Sequence, residues 1–289
     1  IPATSFIATL NAVLYTGATP VFVDIELDTW GLDPKAARQK ITPRTKAIIA
    51  VHLYGFPCKI SELSALAKER GIFLVEDNAE AFGASVEGKK LGTIGDIGTY
   101  SFFGNKIITT GEGGAVSSDN LEFMARVRLY KNQGRKTNRT YNHEVLGYNY
   151  RMTNIQAAIG LAQLAQADQF IAARRHIESV YDAKLAGLIT RPKDLPSAEH
   201  VNWLYTGMFE KTVDVAALSA YLDQKGIETR RVFSSMSSVP YLDDQYQKLE
   251  FPNANELHER GLTMPTYVGL TDAEVITVAE AIQEFVHTV

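Results

Sequence analysis

Ala47-Ile48-Ile49-Ala50-Val51-His52 and Ile72-Phe73-Leu74-Val75-Glu76-Asp77 are two short apolar runs that flank a helical pattern. Runs of this length without strict alternation read as strands buried on both faces. Between them Ser61 can cap a helix whose Leu63, Leu66 and Ala67 share one face, and Gly71 stands where a left-handed residue closes the last turn. Together they make a βαβ unit, the connection that parallel strands require.

On the N-terminal side, Val21 to Ile25 reads as another buried strand, and Asp33-Pro34 as a helix start with proline in the first turn. On the C-terminal side, Ile97 to Phe103 is a further apolar strand. Helix dominates after residue 117, where Thr153 and Gln156 form a capping box opening a pattern that runs toward Gly187, broken once. Thr190 to His200, with Pro192 and Pro196, reads as a loop between lobes. A second texture follows: a strand over Leu204 to Phe209, a helix capped by Asp214 and closed by Gly226, and a strand over Ile227 to Phe233. The last helix is capped by Thr271 and Glu274, with Val275, Val278, Ala279, Ile282 and Val286 on one face. The pattern predicts an α/β protein: a large domain over 1–168 with a mostly parallel sheet, and a smaller α+β domain over 169–289.

Composition narrows the function classes. The 289 residues are 45% hydrophobic and 21% charged with a net charge of −4, a globular composition without the basic footprint of a nucleic-acid binder. A single cysteine, Cys58, cannot form an intramolecular disulfide or a thiolate metal cluster. No charged signal-peptide start and no apolar run near the roughly 20 residues of a membrane helix are present, so a cytoplasmic protein without a membrane partner is expected. The six histidines show no metal-site spacing and no metal is expected; His52 ends a strand, His143 lies before Gly147, and the others fall on helical or loop surfaces.

Two residues carry the chemistry. Asp77 ends an apolar strand, and open α/β sheets bind ligands beyond the carboxyl ends of their strands. Lys106 follows a second strand in a Gly/Asn/Thr-rich setting rather than on a charged helix. Alone, the first is most often a turn former and the second a solvated lysine. As a pair they meet the needs of a pyridoxal phosphate enzyme: a lysine to hold the aldehyde and a carboxylate to keep the pyridine nitrogen protonated. Ser101 supplies a hydroxyl five residues before the lysine, and Gly111, Gly113 and Gly114 permit tight turning without the spacing of a P-loop or dinucleotide fingerprint.

Six ordered blocks carry a resemblance. They are Ser5 to Thr9, Gly17 to Asp24, Glu76 to Ala84, Ser101-Phe102 with Asn105-Lys106, Thr110 to Gly114, and Gly147 to Met152. The chain resembles the sugar aminotransferases of the DegT/DnrJ/EryC1/StrS family, fold-type-I pyridoxal phosphate enzymes. The resemblance implies that Lys106 binds pyridoxal 5'-phosphate as a Schiff base, that Asp77 pairs with the pyridinium nitrogen and that Ser101 holds the phosphate. Glu80 stands where many members place His or Gln against the cofactor ring, a wording most similar to the GDP-perosamine synthase branch. Asn149 matches a residue that reaches the cofactor phosphate of a neighbouring subunit, which implies a homodimer with shared sites.

The implied substrates are L-glutamate and a nucleotide-linked 4-keto-6-deoxy sugar for polysaccharide or O-antigen synthesis. A UDP-linked keto sugar and a non-catalytic sensor of the same fold are the alternatives. Related dehydratases replace the lysine by His, whereas Lys106 is present here. Two departures stand out. Family members begin several tens of residues earlier with a phosphate-cradling Ser-Gly-Thr segment, so the large domain is expected to lack its first elements. Ser235-Met236-Ser237 replaces a Pro-Leu/Met-His pattern, so a substrate-facing histidine is expected to be absent.

Overall fold

The computed structural model describes residues 1–137 and 141–288. The chain runs through α1 (Ala8–Tyr15), α2 (Pro34–Lys40), β1 (Ala47–Val51), α3 (Ile60–Arg70), β2 (Phe73–Asp77), β3 (Ser85–Val86), β4 (Lys89–Lys90), β5 (Ile97–Ser101), β6 (Gly114–Ser117) and α4 (Leu121–Lys131). It continues through α5 (Asn154–Leu164), α6 (Ala167–Lys184), β7 (Ile189–Thr190), β8 (Ala198–Glu199), β9 (Thr206–Phe209), α7 (Val215–Gln224), β10 (Arg230–Arg231), α8 (Asp244–Gln247), α9 (Pro252–Arg260), β11 (Gly261–Thr263) and α10 (Asp272–Thr288).

The main sheet has the order β1-β2-β5-β6. β1, β2 and β5 are parallel, with Val51 opposite Asp77 and Asp77 opposite Thr99, and β6 runs antiparallel, placing Gly114 opposite Ser101. Asp77 and Ser101 therefore both leave the carboxyl-terminal edge of one parallel sheet. α3 spans the crossover from β1 to β2; Leu63, Leu66 and Ala67 are buried, and Gly71 takes φ 62° to end it. An antiparallel sheet, β10-β11-β9-β7, forms the second layer system, and β8 joins β3 and β4 in a third.

Several local expectations change in the fold. Phe22, Val23 and Ile25 are buried, but Val21 to Ile25 makes only single bridges: the Val23 N–H donates to Ile1 O (3.0 Å) and the Ala3 N–H to Val23 O (2.7 Å). Its backbone is occupied by the first residues of the chain rather than by the sheet. α3 begins at Ile60, one residue before Ser61, with Ile60 fully buried. The strand expected through Phe103 stops at Ser101, because the Phe102 carbonyl accepts from the Thr110 N–H (2.9 Å) and folds the Lys106 loop back on itself. Only Arg230–Arg231 of the run to Phe233 is strand. The caps at Asp33, Thr153, Asp214 and Thr271 are all formed.

Two hydrophobic cores underlie these layers. One packs Ile48, Ala50 and Leu74 of the parallel sheet against Leu63 and Leu66, and also takes in Trp203, Met236 and Phe251 from late in the chain. The other joins Ile177 and Tyr181 of α6 to Leu218 of α7, Leu262 of β11 and Val275, Val278 and Ile282 of α10.

Candidate active site

Strand alternation divides the two acidic residues at the end of β2. Glu76 is fully buried and accepts N–H bonds from Gly92 (2.8 Å), Ile94 (2.7 Å) and Gly95 (2.6 Å). His52 Nδ1 receives the Cys58 N–H at 3.3 Å, leaving Nε2 to carry the proton toward Glu76 at 3.2 Å. Burial would raise the Glu76 carboxyl, but the bonds from His52 and the glycine amides hold it below the ordinary carboxylate range. This carboxylate clamps the 92–95 turn over β5, where a Cβ on Gly98 would lie 2.1 Å from Gly92 O.

Asp77 points the other way and is half-buried. Its Oδ2 accepts from Thr9 Oγ1 (2.7 Å) and its Oδ1 from the Ala79 N–H (3.2 Å). Among the described residues it has no ion-pair partner within 4.0 Å. A short turn after β2 brings Glu80 back beneath it, 3% exposed, with the Tyr54 N–H donating to Oε2 at 2.8 Å.

Lys106 sits against this group. Its side chain is 12% exposed, its Nζ lies 4.0 Å from Glu80 Oε1, and the same Nζ rests 3.6 Å from the centroid of the Trp203 ring. Burial lowers the affinity of the amine for its proton, and the Glu80 and Asp77 charges oppose that shift. Burial also pushes the Glu80 carboxyl up to about 7, against the pull of Lys106 and the Tyr54 amide. The arrangement is a poised amine beside a weak acid, at the edge where the parallel strands end.

The remaining expected site residues fall in two places. Ser101 lies on the same strand edge, half-buried, its Oγ accepting the Phe103 N–H at 3.3 Å. Asn149 is exposed and pairs by a backbone bridge with Asn132, beside a cleft of about 1150 Å³ lined by β6, α4 and Tyr148 to Met152. Ser235 and Ser237 bond each other (2.9 Å), and the Met236 N–H donates to Ala3 O (2.7 Å). His200, expected on a surface, is instead enclosed: it stacks on Phe56 (4.4 Å between centroids) and bridges Glu178 (2.8 Å) and Asp194 (2.7 Å).

Three neighbours of the group carry no local signal of their role. Thr9 reaches Asp77 from α1, Tyr54 presents its amide to Glu80 from a left-handed residue (φ 55°), and Trp203 comes from beyond α6. Thr9 lies within a block that supports the family resemblance, and Trp203 is one of two tryptophans in the chain. Those are the hints the sequence contains.

The donor set fits pyridoxal phosphate. A buried amine with lowered proton affinity suits an aldehyde, and a half-buried carboxylate without an ion pair among the described residues suits a protonated ring nitrogen. The comparisons agree. Residues 1–283 match the model of the DegT/DnrJ/EryC1/StrS aminotransferase family. GDP-perosamine synthase of Escherichia coli O157:H7 is 45% identical over 285 residues, covering 99% of this chain and 78% of the relative. The GDP-perosamine synthase of Caulobacter vibrioides is 42% identical, over 98% of this chain and 78% of the relative. The structure of S. venezuelae DesV superposes with a TM-score of 0.88 at 33% identity, covering 100% of this chain and 78% of that one. The chain belongs to the DegT/DnrJ/EryC1/StrS aminotransferase family, and is a fold-type-I aminotransferase whose cofactor is pyridoxal 5'-phosphate.

Proposed function

We propose that the protein transfers an amino group from L-glutamate to the keto carbon of a nucleotide-linked 4-keto-6-deoxy sugar; its likeness to relatives named GDP-perosamine synthase supports this reading. The observation that carries this reading is the enclosed Lys106 amine, set between Glu80 and Trp203 near Asp77, which has no ion-pair partner within 4.0 Å among the described residues. Lys106 would hold the cofactor covalently, Asp77 would pair with its ring nitrogen, Glu80 would meet the ring and Ser101 would take the phosphate. When bound, pyridoxal phosphate supplies an electron sink for charge developing at the substrate carbon. The Lys106 amine would be the group that accepts a proton at one reacting carbon and delivers it to another, because an amine on this short loop stays within reach. The Thr9 hydroxyl and the Ala79 amide orient the Asp77 carboxylate.

Asn149, exposed at its cleft, serves the cofactor phosphate of a second subunit, so the working form is a homodimer. The second hydrophobic core, all of it beyond residue 176, supports a division into a cofactor domain over 1–168 and a smaller domain over 169–289. The product enters polysaccharide or O-antigen synthesis in the cytoplasm; no described helix is long and apolar enough to cross a membrane.

The test is to offer the protein L-glutamate with GDP-linked and UDP-linked keto sugars and to identify amino sugars by mass spectrometry. Product from the GDP sugar supports the reading. Product from the UDP sugar alone moves the specificity, and product from neither overturns it. Lys106→Ala should abolish both turnover and the absorbance of lysine-bound cofactor.

A further inference from the structure

Trp203 is placed with unusual care for a residue outside the cofactor machinery. Its indole N–H donates to Asn105 O at 2.7 Å, so the ring is tied to the residue before the lysine. Its backbone N–H donates to Tyr54 O (3.0 Å), and its carbonyl accepts from the buried Arg174 guanidinium. Asn202 before it takes φ 47°, a conformation asparagine tolerates better than most residues, and is held by Arg191 (2.9 Å) and by Arg174 O (3.1 Å). The ring also stacks on Tyr54, which in turn meets Phe233 and Trp30. Onto this anchored ring the Lys106 amine is set, 3.6 Å from the ring centroid.

A ring face is the negative end of an aromatic quadrupole and attracts a cation with a strength that grows as water is excluded. Among the described residues, the charged groups acting on Lys106 are Glu80 at 4.0 Å and, more distantly, Asp77. Glu80 is itself only a weak anion near neutral pH, because burial raises it to about 7. Glu80 Oε1 at 4.0 Å lies beyond hydrogen-bond reach of the amine, and the indole face at 3.6 Å adds an attraction of its own.

We propose that Trp203 is a positioning residue for Lys106, its indole face seating the lysine as an ammonium ion beside Glu80. This rests on the reading of Lys106 as the cofactor-binding lysine but concerns a property of the amine that exists before any cofactor binds. The ring acts twice: the indole N–H fixes the loop, and the ring face favours the charged amine over the neutral one. Water exclusion by a bulky side chain would do the opposite, since a dry pocket disfavours charge.

The two roles predict opposite signs. In the cofactor-free full chain, the acetylation rate of Lys106 is followed across pH by peptide mass spectrometry, which reads the fraction of neutral amine. Difluorotryptophan at position 203 keeps the shape and weakens the ring face, and Trp203→Phe keeps a ring without the indole N–H. With difluorotryptophan, Lys106 should acetylate about 3- to 10-fold faster at pH 7. Trp203→Phe should stay within about twofold of the natural rate at saturating pH while loosening the loop. An unchanged or slower rate with difluorotryptophan overturns the proposal. That failure is distinguishable from failure of the cofactor reading, which would appear as persistent lysine-type cofactor absorbance in Lys106→Ala.

Discussion

Thr9 Oγ1 lies 2.7 Å from Asp77 Oδ2, a hydrogen bond between α1 and the end of β2 across 68 residues of sequence. It fixes one oxygen of the carboxylate assigned to the cofactor ring. Hydrogen bonds to charged groups contribute roughly 1.5–3 kcal/mol. Thr9→Val should therefore weaken pyridoxal phosphate binding by about tenfold or more, read by absorbance titration of cofactor-free protein. An unaltered affinity would remove Thr9 from the site.

Asp77→Asn keeps the shape and the Thr9 contact but cannot balance a protonated ring nitrogen. Turnover should fall by on the order of 100-fold or more, while lysine-bound cofactor remains visible by absorbance. Equal loss of cofactor and turnover would instead make Asp77 a binding residue alone.

The Glu80 carboxyl is raised by burial from its ordinary 4.5 to about 7. A carboxyl raised on folding binds its proton more tightly in the native state, so its contribution to stability is complete below about pH 4.5 and is lost as pH rises through about 7. Measured by urea denaturation, natural protein should lose about 3 kcal/mol relative to Glu80→Gln across that window and run parallel to it above. Parallel curves throughout would show that Glu80 is ionised over the whole range.

Glu76→Ala removes the acceptor of three buried backbone N–H groups and of His52. Unpaired buried donors cost roughly 1–3 kcal/mol each, so destabilisation of about 3–5 kcal/mol is expected, seen as a large fall in Tm. A shift of a degree or two would mean that the 92–95 turn finds other acceptors.

The parallel half of the fold is legible because its signals are local. Buried strands read as short apolar runs, Gly71 ends α3 and Thr153 opens α5 with side chains a few residues away. Val21 to Ile25 misleads for the same reason: its run is apolar, but whether its backbone pairs with a sheet is settled by residues 1–3. Asp77 and Lys106 stand out by chemical type. The residues that define their surroundings do not, since Tyr54 meets Glu80 across 26 residues and Trp203 meets Asn105 across 98. His200 looked like a surface residue because neither Phe56 nor Glu178 adjoins it in sequence.

The tie from Trp203 to Asn105 also sets a timetable. A chain emerging from the ribosome shows Asp77, Glu80 and Lys106 well before residue 203 exists, so the reactive amine is made early and roofed late. Domains fold largely in the order of synthesis, and contacts at such separation form slowly. During that interval the lysine stands in water as an ordinary surface amine, with neither the enclosure nor the ring that distinguish it later. Enclosure of Lys106 thus arrives with the C-terminal half of the chain, a built-in delay between making the amine and covering it.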